Sequence, residues 1–391
     1  MSLSMMWAVI GWLCGWLLQN RVSRLPEWDV HEVYEWNGVN GANGAGMKNI
    51  VAPAPIPLSV IIPARNEAAN IGKLLNSLLQ QKLSNVEIIV VDDGSEDATA
   101  SLAASNGACV VPTEELPDGW IGKSWACWTG AKTAQGELLV FLDADVELAD
   151  DALQLLAASQ RVNGGLVSVQ PYHRMERAYE QLSAFLNLIV VASVGDGDSR
   201  SGAFRPCLVC RRDDYFRIGG HEAVRGKVLE HFELGRAFSS EQIPVSNFIG
   251  YGKIIFRMYP DGLGSMFRGW SKRFAAGAAS TAPFVAFAVS LWLAGAISAV
   301  SLVLSPLAGQ MQVDDWLLGM GVASYAAYSL QLVLWLRKTG SFKWWTALLY
   351  PLPLGLFMLF FAYSLFTTFI RRKVTWKGRV VSMGRRERGK L

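Results

Sequence analysis

The stretch Gly136-Glu-Leu-Leu-Val-Phe-Leu-Asp143-Ala-Asp145 decides how the chain is read. Residues 138–142 are an unbroken apolar run, the pattern of a strand buried on both faces, and the run stops at two carboxylates. Side chains alternate along a strand, so Asp143 and Asp145 would share a face if the strand reached that far. Paired carboxylates at the C-terminal end of a buried strand form a hard, oxygen-only site. Such a site suits Mg²⁺ or Mn²⁺ carrying a diphosphate. The same residues also suit a turn that caps the following helix, so the flanking segments must decide.

Upstream, residues 58–62, 86–91 and 108–111 read as strands, and residues 66–81, 98–105 and 125–134 have helical periodicity. Strands alternating with helices predict an α/β domain with a mainly parallel sheet. Ligands of such sheets sit beyond the strand C-termini. Both acidic clusters, Asp92-Asp93-Gly-Ser and Asp143-Ala-Asp145, fall there. Gly119-Trp-Ile-Gly122-Lys123-Ser is not a P-loop, because only two residues separate its glycines. Lys123 can still meet a phosphate as a point charge, or be a solvated loop residue. Downstream, residues 166–169, 208–210 and 254–259 read as strands, and Leu229-Glu-His-Phe-Glu-Leu opens a helix. Residues 179–194 are apolar but short for a span; they suit either the membrane face, the favoured placement, or the domain core.

The composition adds a membrane. Of 391 residues 51% are hydrophobic, with 15 Trp and 18 Phe. The net charge of +3 offers no global field for nucleic acid, and no nucleic-acid partner is expected. Five scattered cysteines make no disulfide framework, and Cys207-Leu-Val-Cys210 lacks the second ligand pair of a zinc site, so buried thiols are expected. Residues 1–24 read as an N-terminal anchor and 25–57 as a Gly-, Asn- and Pro-rich linker. Residues 58–275 form the α/β domain, 276–370 a helical transmembrane region, and 371–391 a basic tail. Segments 284–305 and 316–336 are long enough to cross a hydrocarbon layer of roughly 30 Å. Arg268, Lys272, Arg273, Arg337, Lys338 and Lys343 flank them on one side, so the positive-inside rule places the α/β domain in the cytoplasm of a multi-pass membrane protein. The basic tail belongs on that side too, whereas a single crossing at 344–370 would put it outside; Pro351-Leu-Pro353 allows a re-entrant hairpin or an interfacial first half, either of which restores agreement.

Val60-Ile-Ile-Pro63-Ala-Arg65-Asn66-Glu67, Asp92-Asp93-Gly-Ser, Gly122-Lys123-Ser and Asp143-Ala-Asp145 resemble, in order and spacing, the successive motifs of family 2 glycosyltransferases. The resemblance runs from about residue 58 to 273. It implies a GT-A fold, a UDP-sugar donor and a Mg²⁺ or Mn²⁺ ion held through the DxD motif. By analogy Pro63, Arg65, Glu67 and Asp93 line the uridine pocket, and Lys123 approaches the nucleotide. Asp143 faces the ribose or metal side, and Asp145 ligates the metal. Leu116-Pro-Asp-Gly-Trp-Ile-Gly-Lys-Ser, Gly219-Gly-His-Glu-Ala-Val and Gly269-Trp-Ser-Lys look like membrane enzymes that glycosylate lipids. Among those are the types acting on the C30 carotenoid acid 4,4'-diaponeurosporenoate and the hopanoid-associated transferases.

One departure bears on the chemistry. The family has Glu-Asp where this chain has Glu230-His231, and that aspartate is taken as general base. Histidine titrates near pH 6.5 and can serve a hydroxyl acceptor. A carboxylic acid acceptor is already ionised near neutrality and hardly needs a base. Glu230 and Glu222 are the other candidate bases, and His231 can also be an ordinary helix-start residue. Arg268-Gly-Trp270 only partly echoes the processive-synthase signature, so a single sugar addition, glucose foremost, to a membrane lipid is expected. The alternatives are a polyprenyl-phosphate, hopanoid or ceramide-type acceptor, or a membrane scaffold that has lost catalysis. Nothing in the sequence sets an oligomeric state.

Overall fold

The computed structural model describes residues 3–27, 56–83, 85–196, 202–227, 229–271, 277, 280–307, 315–366, 373–376 and 379–382. Helix α1 (Leu3–Gln19) runs straight into strand β1 (Ser23–Arg24). After it, strands and helices alternate: β2 (Leu58–Ala64), α2 (Ile71–Leu79), β3 (Val86–Asp92), α3 (Thr99–Ser105), β4 (Cys109–Pro112), α4 (Gly122–Thr133) and β5 (Leu138–Leu142). Then come β6 (Val146–Leu148), α5 (Ala152–Asn163), β7 (Leu166–Gln170), β8 (Tyr172–His173), a 3₁₀ segment (Ala178–Ser183) and α6 (Ala184–Val194). The domain ends with β9 (Cys207–Arg211), α7 (Arg212–Arg217), α8 (Gly220–Ala223), α9 (Glu230–Ser240), β10 (Val245–Ile249) and β11 (Ile254–Phe256).

Eight strands form one sheet in the order β1-β10-β7-β9-β5-β2-β3-β4. Every pairing in it is parallel except those of β9, which runs antiparallel to both β5 and β7. Alternation sorts the side chains into two cores. Val60, Ile62, Val140 and Leu142 pack with Leu74, Leu75, Leu78 and Leu156 on one face. Ile61, Leu139 and Phe141 pack with Ala126, Ala131, Tyr215 and Phe238 on the other. Cys207 and Cys210 are buried on opposite faces, because a three-residue step along a strand reverses direction; the expected buried thiols are found, with no shared site.

Several boundaries differ from the sequence expectation for identifiable reasons. α2 starts at Ile71 rather than near Asn66, whose φ of 54° is left-handed. The N–H groups of Asn66, Glu67 and Ala68 go instead to Ser95 Oγ (3.0 Å), Thr99 Oγ1 (2.8 Å) and Asp97 Oδ2 (3.1 Å). α4 begins at Gly122, so Lys123 stands on a first helical turn and not in a loop. β10 was not anticipated, although Val245, Asn247 and Ile249 alternate inward. β11 belongs to a second, three-stranded sheet with β6 and β8 rather than to the main sheet. Ser23–Arg24, expected within the anchor, pair with Phe248–Ile249 at the sheet edge. Most of the expected linker and basic tail lies outside the described residues; Lys373–Trp376 and Arg379–Ser382 form an antiparallel pair.

The C-terminal part is helical: α10 (Leu263–Ser271), α11 (Pro283–Leu307), α12 (Asp315–Thr339), α13 (Trp344–Leu348) and α14 (Pro351–Phe366). Within α11 and α12, Pro283–Ser305 and Trp316–Thr339 are long and apolar enough to cross a membrane. α1 packs on both. Its Gly11 and Gly15 repeat at small-xxx-small spacing, which lets helix backbones approach closely. A Cβ at Gly295 would stand 2.8 Å from Gly11 Cα and 2.7 Å from the Trp7 carbonyl. Gln331 ties three helices together, donating to the Trp12 carbonyl (2.8 Å) and accepting from Trp292 Nε1 (3.1 Å).

α6 corrects the expectation of a helix lying on the membrane face. Nine of its residues are buried, and Phe185 stacks on Trp292 at 5.1 Å. Its Phe185, Leu188 and Ile189 share one core with Trp292, Trp335 and Phe357 of the C-terminal helices, so protein encloses it. The next pair of helices turns back. Lys343 N–H donates to Gln181 Oε1 (2.9 Å), fixing the start of α13 on the α/β domain. Tyr350 then reaches the Ala296 carbonyl (3.2 Å), near the middle of α11. α14 returns, bringing Phe360 and Tyr363 to within 4.9 and 5.1 Å of Phe267 on α10.

The glycine contact yields a test. Gly295→Leu forces side-chain volume against backbone atoms, and overpacking of this kind costs about 1–3 kcal/mol. Thermal unfolding of the detergent-solubilised protein should show a lowered midpoint, while Gly355→Leu, where a Cβ would meet nothing, should leave it near wild type.

Candidate active site

The sheet register builds the centre of the site. Leu142 pairs with Cys207 across β5 and β9, and the Asp143 N–H continues the ladder to the Pro206 carbonyl (3.0 Å). Arg205 is thereby set beside Asp143. Its Nε donates to Asp143 Oδ2 at 3.2 Å, and its Nη2 lies 3.1 Å from the same oxygen. Lys123, from the first turn of α4, donates to Asp143 Oδ1. Burial opposes charge on Asp143, but Lys123 and Arg205 outweigh it and hold the carboxyl below its ordinary range. Arg205 is held the more firmly protonated by Asp143, Glu230 and Asp145, against its burial.

The strand ends at Leu142, and a turn closed by Val146 N–H on the Asp143 carbonyl (3.2 Å) carries Asp145 out of register. Among the described residues Asp145 makes no hydrogen bond or ion pair, although Asp143, Arg205, Glu67 and Lys123 all act on it electrostatically. Burial, then the Asp143 carboxylate, push its pKa up to about 6.

α9 supplies the opposite wall. Its first residue, Glu230, is buried with Oε1 4.0 Å from Lys123 Nζ and 3.9 Å from His231 Nδ1. Burial opposes its ionisation, but His231, Lys123 and Arg205 hold it well below the usual carboxylate range. For His231 burial prevails over the pull of Glu230 and lowers the pKa, so the ring is neutral at pH 7. The helix is seated by glycine. At Gly235 a Cβ would be 2.8 Å from Ala203 N, and Gly202 lies flat against the Phe232 ring. That segment is tied down in turn by Ser168, whose Oγ accepts from Phe204 N–H (2.9 Å), and by Asn247, which donates to the Gly202 carbonyl (3.0 Å).

A cleft runs between these walls, lined by Pro63, Lys123, Asp143, Arg205, His221, Glu230 and His231 over Phe141 and Leu208. Arg65 and Asp93 adjoin it, paired at 3.6 Å. Asp93 also abuts Gly122, where a Cβ would collide with its carboxylate. Glu67 accepts from Asn70 Nδ2 at 3.0 Å on the same rim. Of the residues singled out in the sequence, Pro63, Lys123, Asp143, Glu230 and His231 line the cleft; Arg65, Glu67, Asp93 and Asp145 lie outside its lining, tied to it through the contacts above, and Glu222 is exposed. Sequence reasoning missed Arg205, one of 36 basic residues with no motif around it, and gave His221 no role. Cys127 also lines the cleft, but burial pushes its thiol up to about 12 and leaves it unreactive.

A divalent cation fits this donor set. Three carboxylates (Asp143, Asp145, Glu230) face two cations (Lys123, Arg205), and Asp145 has no direct partner among the described residues. No group of three or more His, Cys, Asp or Glu converges among them. A hard ion bound here would complete its shell from phosphate and water, as Mg²⁺ commonly does.

Comparisons place this architecture. Residues 59–199 match the sequence model of glycosyl transferase family 2. The 4,4'-diaponeurosporenoate glycosyltransferase of Staphylococcus aureus strain USA300 is 38% identical over 341 residues, covering 84% of this chain and 89% of that protein. Its counterpart in strain MRSA252 has the same identity and coverage. The solved mannosyltransferase PcManGT of Pyrobaculum calidifontis aligns over 93% of this chain and 97% of its own, at 16% identity and a TM-score of 0.45. The chain belongs to glycosyl transferase family 2. It is a glycosyltransferase with the GT-A fold.

The Asp93–Gly122 contact gives a clean probe. Gly122→Ala drives Asp93 off its position beside Arg65 and shifts the helix turn that carries Lys123. Misplacement of about 1 Å can cost about 100-fold in rate. Steady-state kinetics should show a loss of that order in kcat/KM with an unchanged unfolding midpoint.

Proposed function

We propose that the protein transfers one sugar, glucose foremost, from a UDP-sugar to a membrane lipid with inversion, the acceptor being a carotenoid carboxylic acid of the 4,4'-diaponeurosporenoate kind. The observation that carries this reading is where the cleft lies. Glu230 and His231 open α9, and the next residue, Phe232, packs on Val191 and Val194 of α6, the helix sheathed by the apolar C-terminal layer. Charged donor chemistry and an apolar platform therefore meet at one wall. The S. aureus relative, named for action on such an acid, supports the choice of acceptor.

Pro63, Arg65, Glu67 and Asp93 receive the nucleoside, while Lys123 and Arg205 supply positive charge to the diphosphate. Asp145, with the charge of Asp143 beside it, would hold Mg²⁺ or Mn²⁺, which when bound acts as a Lewis acid toward the leaving diphosphate. The acceptor oxygen forms a bond to the anomeric carbon as the bond to the diphosphate oxygen breaks, and the electron pair leaves with UDP. A carboxylate acceptor brings no proton to remove. A hydroxyl acceptor would give its proton to neutral His231, with ionised Glu230 stabilising the imidazolium. Hopanoid, ceramide-type and polyprenyl-phosphate acceptors, and a scaffold without catalysis, are the competing readings.

The same frame supports a multi-pass membrane protein with the catalytic domain in the cytoplasm. α11 and α12 would be its crossings, and Arg337, Lys338 and Lys343 flank the end that meets the α/β domain. The return of α13–α14 to α10 would bring the basic tail to that side.

Membranes containing the protein, incubated with labelled UDP-sugars, should label a carotenoid acid ester identifiable by mass spectrometry. Asp145→Asn should abolish the label; persistence of unchanged lipid products would favour the scaffold. His231→Ala separates the acceptors. It should cost less than about tenfold for a carboxylate, but about 10²–10⁴-fold for a hydroxyl.

A further inference from the structure

His221 is 2% exposed, yet it lines the cleft. Its surroundings fix its proton. Tyr215 OH accepts from the His221 backbone N–H (3.0 Å) and lies 2.8 Å from the ring Nδ1. Among the described residues the Tyr215 hydroxyl hydrogen has no acceptor other than Nδ1, which assigns the O–H as donor to Nδ1 and the imidazole proton to Nε2. Tyr215 is itself fully buried, wedged against Phe141 (5.3 Å) and Phe216 (5.2 Å), so the hydroxyl cannot swing away. Gly220 makes the arrangement possible, because a Cβ there would strike the Tyr215 ring at 2.5 Å. Nε2 forms no hydrogen bond among the described residues, and it is not one of the sealed, unpartnered polar atoms; it opens to the cleft.

A buried N–H held this rigidly and left without an acceptor is a recognition element. We propose that His221 reads the transferred sugar, its Nε2–H donating a hydrogen bond to a hexose hydroxyl of the nucleotide-sugar. The assignment rests on the UDP-sugar reading above and adds which residue senses the sugar. Position selects the sugar over the acceptor. His221 lies at the floor of the cleft with Phe141, its ring tilted at 56° to the Phe141 ring with centroids 5.2 Å apart, and it shares the cleft with Glu230 and His231. In this assignment the donor occupies the floor of the cleft and the lipid approaches from the α9 side. Chemistry selects a hydroxyl. Burial lowers the ring's pKa to about 4, so it is a neutral donor and suits a neutral oxygen, whereas the phosphates have Lys123 and Arg205.

The test uses the full chain in phospholipid nanodiscs with Mg²⁺, titrated calorimetrically with UDP, UDP-glucose and UDP-galactose, alongside steady-state kinetics. His221→Phe keeps the shape and removes the donor. It should leave UDP affinity within about twofold, reduce kcat/KM for the preferred UDP-hexose about tenfold or more, and narrow the preference between the two epimers. His221→Gln, which restores an N–H, should recover part of that preference, and Tyr215→Phe should fall between. The proposal is overturned if His221→Phe weakens UDP and UDP-sugar equally. It is equally overturned if the epimer preference is unchanged, or if Gln behaves no better than Phe. Wild-type protein that binds UDP but turns over neither sugar would instead defeat the functional reading on which it rests.

Discussion

The Asp143 carboxylate, clasped between Lys123 and Arg205, is the interaction on which the site depends. Three parts of the chain meet there: the end of β5, the first turn of α4, and the approach to β9. Each charge is largely withdrawn from water, the three side chains being 13–24% exposed, so removing one partner leaves the others poorly compensated. The cluster therefore holds together as a unit. It also leaves one carboxylate, Asp145, without a hydrogen bond or ion pair among the described residues.

The second constraint is the joint between the α/β domain and the helical layer. α6 is apolar enough to be mistaken for a surface helix, yet it is a wedge enclosed by α11, α12 and α14. α1 reaches the same layer and then passes directly into the sheet edge through Ser23–Arg24. The domain is thus attached through α6 and α1, and the Lys343–Gln181 contact at the start of α13 adds a further point. Phe232 transmits this placement to Glu230 and His231, so the wall of the cleft is positioned by the helical layer as much as by the sheet.

Glycine enables the close contacts where charged groups must converge. Gly122 admits Asp93, Gly202 and Gly235 seat α9 on the segment leading to Arg205, and Gly220 admits Tyr215 beneath His221. A methyl group at any of these positions would meet atoms already in place. These glycines carry no chemistry, but they set the distances at which the chemistry operates.

Much of this was legible in the sequence. Apolar runs ending in acid residues announced the strands and their ligand-binding ends, because burial on both faces leaves an unmistakable composition. Motif order, through the resemblance to family 2 glycosyltransferases, grouped Pro63, Arg65, Glu67, Asp93, Lys123, Asp143 and Asp145 as one expected site. Only the tertiary structure decided the rest. Arg205 is invisible to periodicity because its meaning comes from the antiparallel register that lays it beside Asp143. Glu222 looked equivalent to Glu230, yet one is exposed and the other buried, a difference set by how α8 and α9 pack. The tautomer of His221 depends on a tyrosine hydroxyl placed by a glycine with a φ of 49°. Local sequence determined which segments would be strands, helices and ligand-bearing ends; through-space contacts between distant segments determined which charges would face one another.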